Sequence, residues 1–371
     1  MPSAAPSPLH RLSALGQSVW IDFLSRGSIR GGHLQGLIDH DAVVGATSNP
    51  TILQKAMTEG DAYDEQLHEL AARVEGVDAT FWTLAEQDIQ EACDLFRPVW
   101  DGGSRRDGYV SLEVDPRLAY DTLATFREAM RLHEEVNRPN LMVKIPATKP
   151  GLAAVEDVVA KGRSINVTLI FSLRRYAAVA ESYVRGVERL IAEGGDPRAV
   201  ASVASFFVSR IDTEADRRLD EIGGHDHLKG KLAVANARLA YEHYQEVFAG
   251  PRWEFLEAKG ATPQRVLWAS TSTKNHDYPD TLYVEELIGP DTVNTMPEET
   301  IRAYQDHGDP QLRLAGGLAD AHKVFDDLRG AGIDYDDVTD TLEREGVEKF
   351  SDSFGQLLQA LRAKQESLAP A

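Results

Sequence analysis

The chain has 371 residues, of which 42% are hydrophobic and 26% are charged, and its formal net charge is −20. This balance is typical of a globular protein with a sizeable core, and 29 glycines and 17 prolines are too few for a collagen-like or low-complexity chain. An acidic chain repels the phosphate backbone, so we expect no binding to nucleic acid.

The single cysteine, Cys93, cannot form an internal disulfide, which fits a reducing compartment. Its spacing from Ile89 and Phe96 predicts the buried face of a helix. Residues 1–6 lack a basic stretch followed by an apolar core, so no signal peptide is expected. No run of about 18 apolar residues is present, which predicts no membrane span. We therefore expect a soluble, cytoplasmic protein that does not bind membranes.

Short apolar runs, most of them rich in Val, Ile or Phe, alternate with amphipathic stretches along the chain. These runs are too short for helices, so each is predicted to form a β-strand. The eight predicted strands are Ser18–Phe23, Val43–Ser48, Tyr109–Val114, Leu141–Pro146, Ser164–Phe171, Val200–Val208, Arg265–Ser270 and Thr292–Met296.

The amphipathic stretches predict helices, and several carry start or stop signals. Asp78 and Ser172 precede two of them as candidate N-caps, and Pro297 is expected at the first position of another. The predicted helices are Ala79–Phe96, Arg117–Val136, Leu173–Ala192, Leu228–Phe248 and, among several beyond Leu314, Val347–Ala363.

Eight strands alternating with helices favour an α/β fold, a closed (β/α)₈ TIM barrel of parallel strands. The alternative architecture is a doubly wound open sheet, in which a glycine-rich phosphate-binding turn is expected after the first strand. Neither G-x-G-x-x-G nor G-x-x-x-x-G-K-[ST] occurs in the sequence. The sequence contains no low-complexity linker and no internal repeat of fixed period. We therefore predict one domain over residues 1–371, with a helical C-terminal extension over about 314–371.

Polar residues interrupt these apolar strands, and they are informative because barrel strands are buried on both faces. Lys144, Asp22 and Glu113 stand among apolar neighbours in three different predicted strands. Asn166 and Thr168 alternate in a fourth and therefore share one face. Each interruption falls toward the carboxyl end of its strand, where barrel enzymes build their sites.

Two interpretations of this set are open. A buried charge needs a partner, so Lys144 and Glu113 could form a purely structural ion pair across neighbouring strands. Alternatively, an amine that loses its hydration favours its neutral form, which attacks carbonyls to give a Schiff base. The required base and acid would be Asp22 and Glu113, while Asn49 and Asn166 are candidates to bind the hydroxyls of a polyol. This chemistry requires no metal and no cofactor.

The polar interruptions lie within six longer stretches of sequence. These stretches are Gln17–Asp22, Ala46–Thr51, Ser111–Arg117, Leu141–Thr148, Ser164–Ser172 and Ala201–Arg210. In this order they closely resemble the transaldolases, in the longer form found in many bacteria. The likeness runs from about the first predicted strand to Phe354, nearly the whole chain.

The resemblance implies a class I aldolase-type barrel that uses sugar phosphates. Such an enzyme moves a dihydroxyacetone unit from sedoheptulose 7-phosphate or fructose 6-phosphate to glyceraldehyde 3-phosphate or erythrose 4-phosphate, in the non-oxidative pentose phosphate pathway. By resemblance, Lys144 is the Schiff-base lysine and Asp22 takes the proton of the C4 hydroxyl. Glu113 and Thr168 are implied to hold the water that transfers protons.

The resemblance also implies which residues bind the substrate. Asn49, Asn166 and Ser205 correspond to ligands of the dihydroxyacetone hydroxyls, and Phe207 shares a strand face with Ser205. Arg210 resembles a phosphate-binding arginine.

One departure concerns the phosphate. Shorter members of the family carry a second phosphate-binding arginine after the seventh strand, where this chain reads Ala269–Asn275. Lys274 is the nearest candidate there, and it offers a point charge without the arginine fork. Ser270 and Ser272 are further candidate donors.

Two other functions stay open at this point. An aldolase of the same family would release free dihydroxyacetone, and a barrel without catalysis would only bind sugar phosphates. The oligomeric state stays open too, with a homo-oligomer as one alternative. The segment His225–His227 is interpreted as a solvated loop rather than a metal site. Asp334–Asp337, with the acidic stretch through Glu345, is interpreted as the start and solvated face of a helix.

Overall fold

The structure is a computed structural model that describes residues 7–72 and 76–368. In this part of the chain, eight parallel strands close into a barrel in chain order, and the first strand pairs with the last. The strands are β1 (Gln17–Ile21), β2 (Val43–Thr47), β3 (Val110–Glu113), β4 (Leu141–Pro146), β5 (Ile165–Ile170), β6 (Ser202–Phe207), β7 (Arg265–Ala269) and β8 (Thr292–Met296). The predicted (β/α)₈ barrel is confirmed.

Helices surround this barrel and continue beyond its last strand, as predicted for the C-terminal part. They are α1 (Pro8–Ala14), α2 (Arg26–Arg30), α3 (His33–His40), α4 (Pro50–Thr58), α5 (Asp64–Ala72), α6 (Val77–Gly102), α7 (Thr122–Val136), α8 (Lys149–Ala160), α9 (Leu173–Ala192), α10 (Ser209–Ile222), α11 (Leu232–Val247), α12 (Pro251–Glu257), α13 (Leu282–Glu285), α14 (Glu298–His307), α15 (Leu318–Gly330) and α16 (Tyr335–Leu368). Short 3₁₀ turns occur at Pro116–Leu118, Pro197–Ala199 and Asp226–Leu228.

Several helix starts differ from the sequence prediction. Asp78 lies inside the first turn of α6 and forms an ion pair with Arg117, while Gly76 is the N-cap. Pro297 is the N-cap of α14 rather than its first residue. The segment predicted as one helix from Arg117 divides, because the Asp121 carboxylate accepts the backbone N–H of Ala124 and starts α7 afresh.

Other predictions are confirmed or lie outside the described residues. The predicted helix Leu173–Ala192 is α9, whereas the one predicted from Leu228 begins at Leu232 after a 3₁₀ turn. Cys93 is buried on α6, and burial raises the pKa of its thiol. Residues 1–6, on which the signal-peptide expectation rests, fall outside the described part. None of the helices described is long and apolar enough to cross a membrane.

Two segments singled out in the sequence, His225–His227 and Asp334–Asp337, lie at a 3₁₀ turn and at the start of α16. Asp226 and His227 are exposed, and the Asp226 carboxylate lies 2.7 Å from the Lys229 ammonium. Asp334 precedes α16 and accepts a hydrogen bond from the backbone N–H of Asp337. Within the ranges described, no group of three or more His, Cys, Asp or Glu side chains is placed to hold a metal ion.

Connections from the strands to the following helices are short, and polar side chains cap those helices. The side chains of Asn49, Thr148 and Ser172 each accept a backbone N–H in the first turn of α4, α8 and α9. Only two residues separate β2, β4 and β5 from these helices. The short connections therefore fix side chains at the carboxyl ends of the strands.

Strand β5 contains a bulge near its carboxyl end. Leu169 has a left-handed backbone with φ of 61°, and the register with β6 shifts between Val167 and Ile170. A bulge re-aims the neighbouring side chains. It lies directly after Thr168, one of the predicted site residues.

Helix α16 crosses the carboxyl face of the barrel. It has 34 residues, and it packs on α10 near its start and on α4 and α5 further along. Other contacts, in order along the helix, are Glu343 with Arg175 on α9, Gly346 against Phe171 after β5, and Ser353 with Thr51 on α4. The helix therefore covers part of the face on which a barrel enzyme builds its site.

Trp20 packs so closely on β2 that no side chain fits at Gly45. A Cβ at Gly45 would lie 2.5 Å from Trp20 Cε2, and Trp20 is fully buried. We expect Gly45→Ala to lower the free energy of unfolding by about 1–3 kcal/mol, which urea unfolding would measure. The control is Gly36→Ala in α3, where a Cβ meets nothing within 4 Å. Equal stability of both variants would contradict this account of the packing.

Candidate active site

The predicted site residues converge on one cavity of about 590 Å³ at the carboxyl ends of the strands. Ten of them line it: Asp22, Asn49, Lys144, Thr168, Ser205, Phe207, Arg210, Ser270, Ser272 and Lys274. Glu113 and Asn166 do not line the cavity. They are the strand neighbours of Lys144 on either side, since Lys144 pairs in register with Glu113 of β3 and with Asn166 of β5.

Lys144 reaches the cavity from within a fully buried strand. Its residue exposure is 5%, and its Nζ donates a hydrogen bond to the carbonyl oxygen of Ser48 at 3.0 Å. The Nζ also lies 4.0 Å from Glu113 Oε2, at the limit of an ion pair. This distance is too long for a hydrogen bond, so the Lys144 amine and the Glu113 carboxylate can each still form hydrogen bonds with other partners.

Glu113 is buried, and its two carboxylate oxygens have no hydrogen-bond partner among the described atoms. Thr168 Oγ1 is buried without a partner as well. Burial raises the pKa of Glu113 to about 7, against the opposing effect of the Lys144 charge. Buried polar groups are normally satisfied, so these atoms suit a small hydrogen-bonding molecule such as water.

Asp22 follows β1 directly, and its backbone N–H donates to the carbonyl of Met296 on β8. Its Oδ1 accepts a hydrogen bond of 2.7 Å from Thr47, whose hydroxyl also lies 2.7 Å from that of Thr295. Loss of hydration raises the pKa of Asp22, and the charge of Lys144 lowers it less strongly. The carboxyl group is therefore held in one place and keeps its proton more readily than an exposed aspartate.

Amide and hydroxyl groups form a second part of the site. Ser205 Oγ donates to Asn166 Oδ1 at 2.6 Å, and Asn166 Nδ2 donates to Ser111 Oγ at 3.1 Å. Asn49 Oδ1 accepts the backbone N–H of Ile52, which leaves its NH₂ group unengaged by that bond. These bonds orient both amides, and each amide nitrogen retains N–H capacity for a ligand hydroxyl.

Two cations line the cavity near β6 and β7. The Arg210 guanidinium lies over the Phe207 ring, 5.1 Å from its centroid, and Phe207 packs on Phe171 at 5.2 Å between centroids. Burial lowers the pKa of Arg210, while the carboxylate of Asp22 raises it. Lys274 Nζ donates to Ser272 Oγ at 2.6 Å. The pair suits an anionic group of a ligand.

Several residues that the sequence analysis did not single out belong to this site. Thr47 and Ser48 hold Asp22 and Lys144, and both stand inside a stretch already quoted for its resemblance. Lys55 of α4 and Phe350 of α16 line the cavity. No signal in the sequence identified these two, because each occupies an ordinary position in an amphipathic helix.

The raised pKa of Glu113 predicts a pH-dependent contribution to stability. The native carboxyl group binds its proton more tightly than the unfolded one, whose pKa is near 4.5, so the free energy of unfolding falls as pH rises from about 4.5 to about 7. Glu113→Gln removes this loss. Relative to the parent, we expect the variant to gain up to about 3 kcal/mol between pH 4.5 and pH 8 in urea unfolding.

The control for this measurement is Glu134→Gln, which changes an exposed glutamate on α7. Its stability relative to the parent should be the same at both pH values. A pH-independent difference for Glu113→Gln would show that burial does not perturb this carboxyl group.

The sequence was compared with known proteins. Residues 19–361 match the model of a protein family that is described as Transaldolase/Fructose-6-phosphate aldolase. A protein of Saccharopolyspora erythraea named Transaldolase is 54% identical over 96% of this chain and 97% of its own length. Proteins of the same name from Acidothermus cellulolyticus and Mycobacterium bovis are 55% and 53% identical, over 95% and 97% of this chain and 96% and 98% of their own lengths.

The match covers the candidate cavity and all strands of the barrel except the first two residues of β1. The chain is an enzyme and belongs to the transaldolase/fructose-6-phosphate aldolase family.

Proposed function

We propose that this enzyme transfers a dihydroxyacetone unit from sedoheptulose 7-phosphate or fructose 6-phosphate to glyceraldehyde 3-phosphate or erythrose 4-phosphate, through a Schiff base on Lys144. The observation that carries the proposal is the placement of Lys144. Its amine enters the cavity from a buried strand, 3.0 Å from the Ser48 carbonyl and 4.0 Å from Glu113, with Asp22 lining the same cavity.

The first step joins Lys144 to the ketose. The neutral amine attacks the C2 carbonyl, and the resulting carbinolamine loses water to form the imine. This requires a proton on the departing hydroxyl. The unpartnered oxygens of Glu113 and Thr168 support the assignment of a shared water there, and the pKa of Glu113 near 7 suits a group that both gives and takes a proton.

The second step breaks the C3–C4 bond. Asp22 takes the proton of the C4 hydroxyl, and the bonding electrons move to C3 and into the protonated imine, which leaves an enamine on Lys144. The aldose phosphate departs, and an acceptor aldehyde binds in its place. The enamine carbon then attacks that aldehyde, and Asp22 returns its proton to the new hydroxyl. Water finally adds to the new imine, and breakage of the C–N bond releases the ketose phosphate and the free Lys144 amine. The Thr47 hydrogen bond holds Asp22 in position through both steps.

The remaining residues are assigned to binding. Asn49, Asn166 and Ser205 are assigned to the hydroxyls of the dihydroxyacetone unit, in keeping with their oriented amide and hydroxyl groups. Arg210 and Lys274 are assigned to the phosphate, and Phe207 supports the Arg210 guanidinium.

Transfer is favoured over release of free dihydroxyacetone because the relatives above are named Transaldolase. A barrel that only binds sugar phosphates would gain nothing from a desolvated amine. We also infer a cytoplasmic location from the sugar-phosphate substrates and the single buried cysteine. A single domain that includes α16 is inferred from its packing on α4, α5 and α10.

Borohydride trapping tests the role of Lys144. With fructose 6-phosphate present, reduction of the imine should attach a reduced dihydroxyacetone unit to the peptide that contains Lys144, as read by intact mass and peptide mapping. Lys144→Ala should lose both the label and the activity, while Lys149→Ala, at the start of α8, should keep both. Label on another lysine in an active Lys144→Ala enzyme would exclude this mechanism.

Asp22 and Glu113 should affect different steps. Asp22→Ala should still form the trappable imine but turn over roughly 10²–10⁴-fold more slowly, because bond cleavage loses its general base. Glu113→Ala should instead slow formation of the imine itself, as followed by rapid-quench borohydride trapping. Near-normal turnover of Asp22→Ala would remove Asp22 from the mechanism.

Phosphate binding should depend first on Arg210 and then on Lys274. Arg210→Ala is expected to raise KM for sugar phosphates far more than for glyceraldehyde, which lacks the phosphate. Lys274→Ala should also weaken phosphorylated substrates selectively, while Lys274→Arg should retain most of that binding because a guanidinium still pairs with phosphate. Equal losses for both kinds of acceptor would mean that neither residue contacts the phosphate.

A further inference from the structure

An arc of arginines lies at the amino ends of five adjacent strands. Arg105, Arg138, Arg163 and Arg198 precede β3, β4, β5 and β6, and Arg265 is the first residue of β7. This face is opposite the catalytic cavity, across strands of four to six residues that span about 13–20 Å. Three of the five arginines form ion pairs with a carboxylate: Arg138 with Asp94, Arg198 with Asp196 and Arg265 with Asp107.

Three of these arginines line one cavity of about 210 Å³, and none of the residues that line it is acidic. We call it the arginine cavity, after Arg105, Arg138 and Arg163. His133 also lines it and forms a hydrogen bond with the carbonyl oxygen of Ser164. Burial lowers the pKa of His133 to about 4, and the charge of Arg163 adds to this effect. The wall of the cavity therefore carries positive charge from guanidinium groups alone.

Only one of the three guanidinium groups is neutralised by a close carboxylate. Arg138 binds both oxygens of Asp94 on α6 at 2.6 and 2.9 Å. Within the described part of the chain, neither Arg105 nor Arg163 has a carboxylate at ion-pair distance. Asp196, which adjoins Arg105 in the next cavity, is already bound by Arg198 at 2.9 Å. Two guanidinium groups thus remain available to an anion.

The backbone holds Arg105 in an unusual conformation. Arg105 and the preceding Ser104 both have left-handed backbones, with φ of 62° and 54°. The Arg105 N–H donates to the Trp100 carbonyl at 3.1 Å, and its own carbonyl accepts the Tyr109 hydroxyl at 2.9 Å. The guanidinium lies 4.8 Å from the centroid of the Trp100 ring. Two successive non-glycine residues in this conformation are strained, and such strain concentrates at functional sites.

We propose that the arginine cavity binds a phosphate group, either as inorganic phosphate or as the monoester of a small molecule. Guanidinium forks match the geometry of phosphate oxygens, and a cavity of about 210 Å³ has room for the group and a few attached atoms. The site does not overlap the catalytic cavity, since the two share no lining residue. It therefore goes beyond the catalytic function and does not depend on it.

Equilibrium dialysis with radiolabelled inorganic phosphate at constant ionic strength tests the proposal. The measurement uses full-length Arg210→Ala enzyme, so that binding at the catalytic cavity is weakened in every sample. Arg105→Gln and Arg163→Gln added together should weaken the remaining phosphate binding at least tenfold. The matched control adds Arg302→Gln and Arg329→Gln, two exposed arginines on α14 and α15, and should stay within twofold.

Arg163→Gln alone provides a milder variant, expected to weaken binding at least threefold with an unchanged circular dichroism spectrum. Equal affinity in the site pair and the control pair, or no phosphate binding in the Arg210→Ala enzyme, would overturn the proposal. Displacement by chloride at the same ionic strength would also overturn it. Competition by glycerol phosphate separates the sources: stronger competition than by inorganic phosphate identifies a monoester site, and weaker competition a site for the free ion.

Discussion

The burial of Lys144 is the constraint on which the rest of this structure depends. A lone amine inside an apolar strand is costly, and the closed barrel compensates by placing the Glu113 carboxylate on a neighbouring strand and the Ser48 carbonyl within hydrogen-bond distance. The carboxylate stays at 4.0 Å, close enough to offset charge but too far for a direct hydrogen bond. The barrel thus keeps the amine in the interior without committing it to a structural ion pair.

The same burial gives the two carboxyl groups different surroundings. Glu113 has no hydrogen-bond donor among the described atoms, whereas Asp22 receives one from Thr47. Both have raised pKa values because hydration is lost, and the charge of Lys144 opposes both shifts. Two acids of similar intrinsic strength therefore have different environments, which is why different steps are proposed for them.

The strands and most site residues could be predicted because apolar runs are short and their polar interruptions are conspicuous. Leu169 gave no such signal, since its left-handed backbone follows from the register shift with β6. Phe350 was missed because an apolar residue in an amphipathic helix does not reveal which surface it covers. The arginine cavity could not be predicted from the sequence for another reason. Arg105, Arg138 and Arg163 are far apart in sequence, and the barrel brings their loops together.

The pairing of the first strand with the last affects how the enzyme folds during its synthesis. Strand β1 pairs with β8, so residues 17–21 must wait for residues 292–296 before the barrel can close. Phe350 of α16 then completes the wall of the candidate cavity. Contacts of such long sequence separation form late and slowly. A chain emerging from the ribosome therefore holds Lys144 in an unfinished site until residues 292–296 and Phe350 have also emerged.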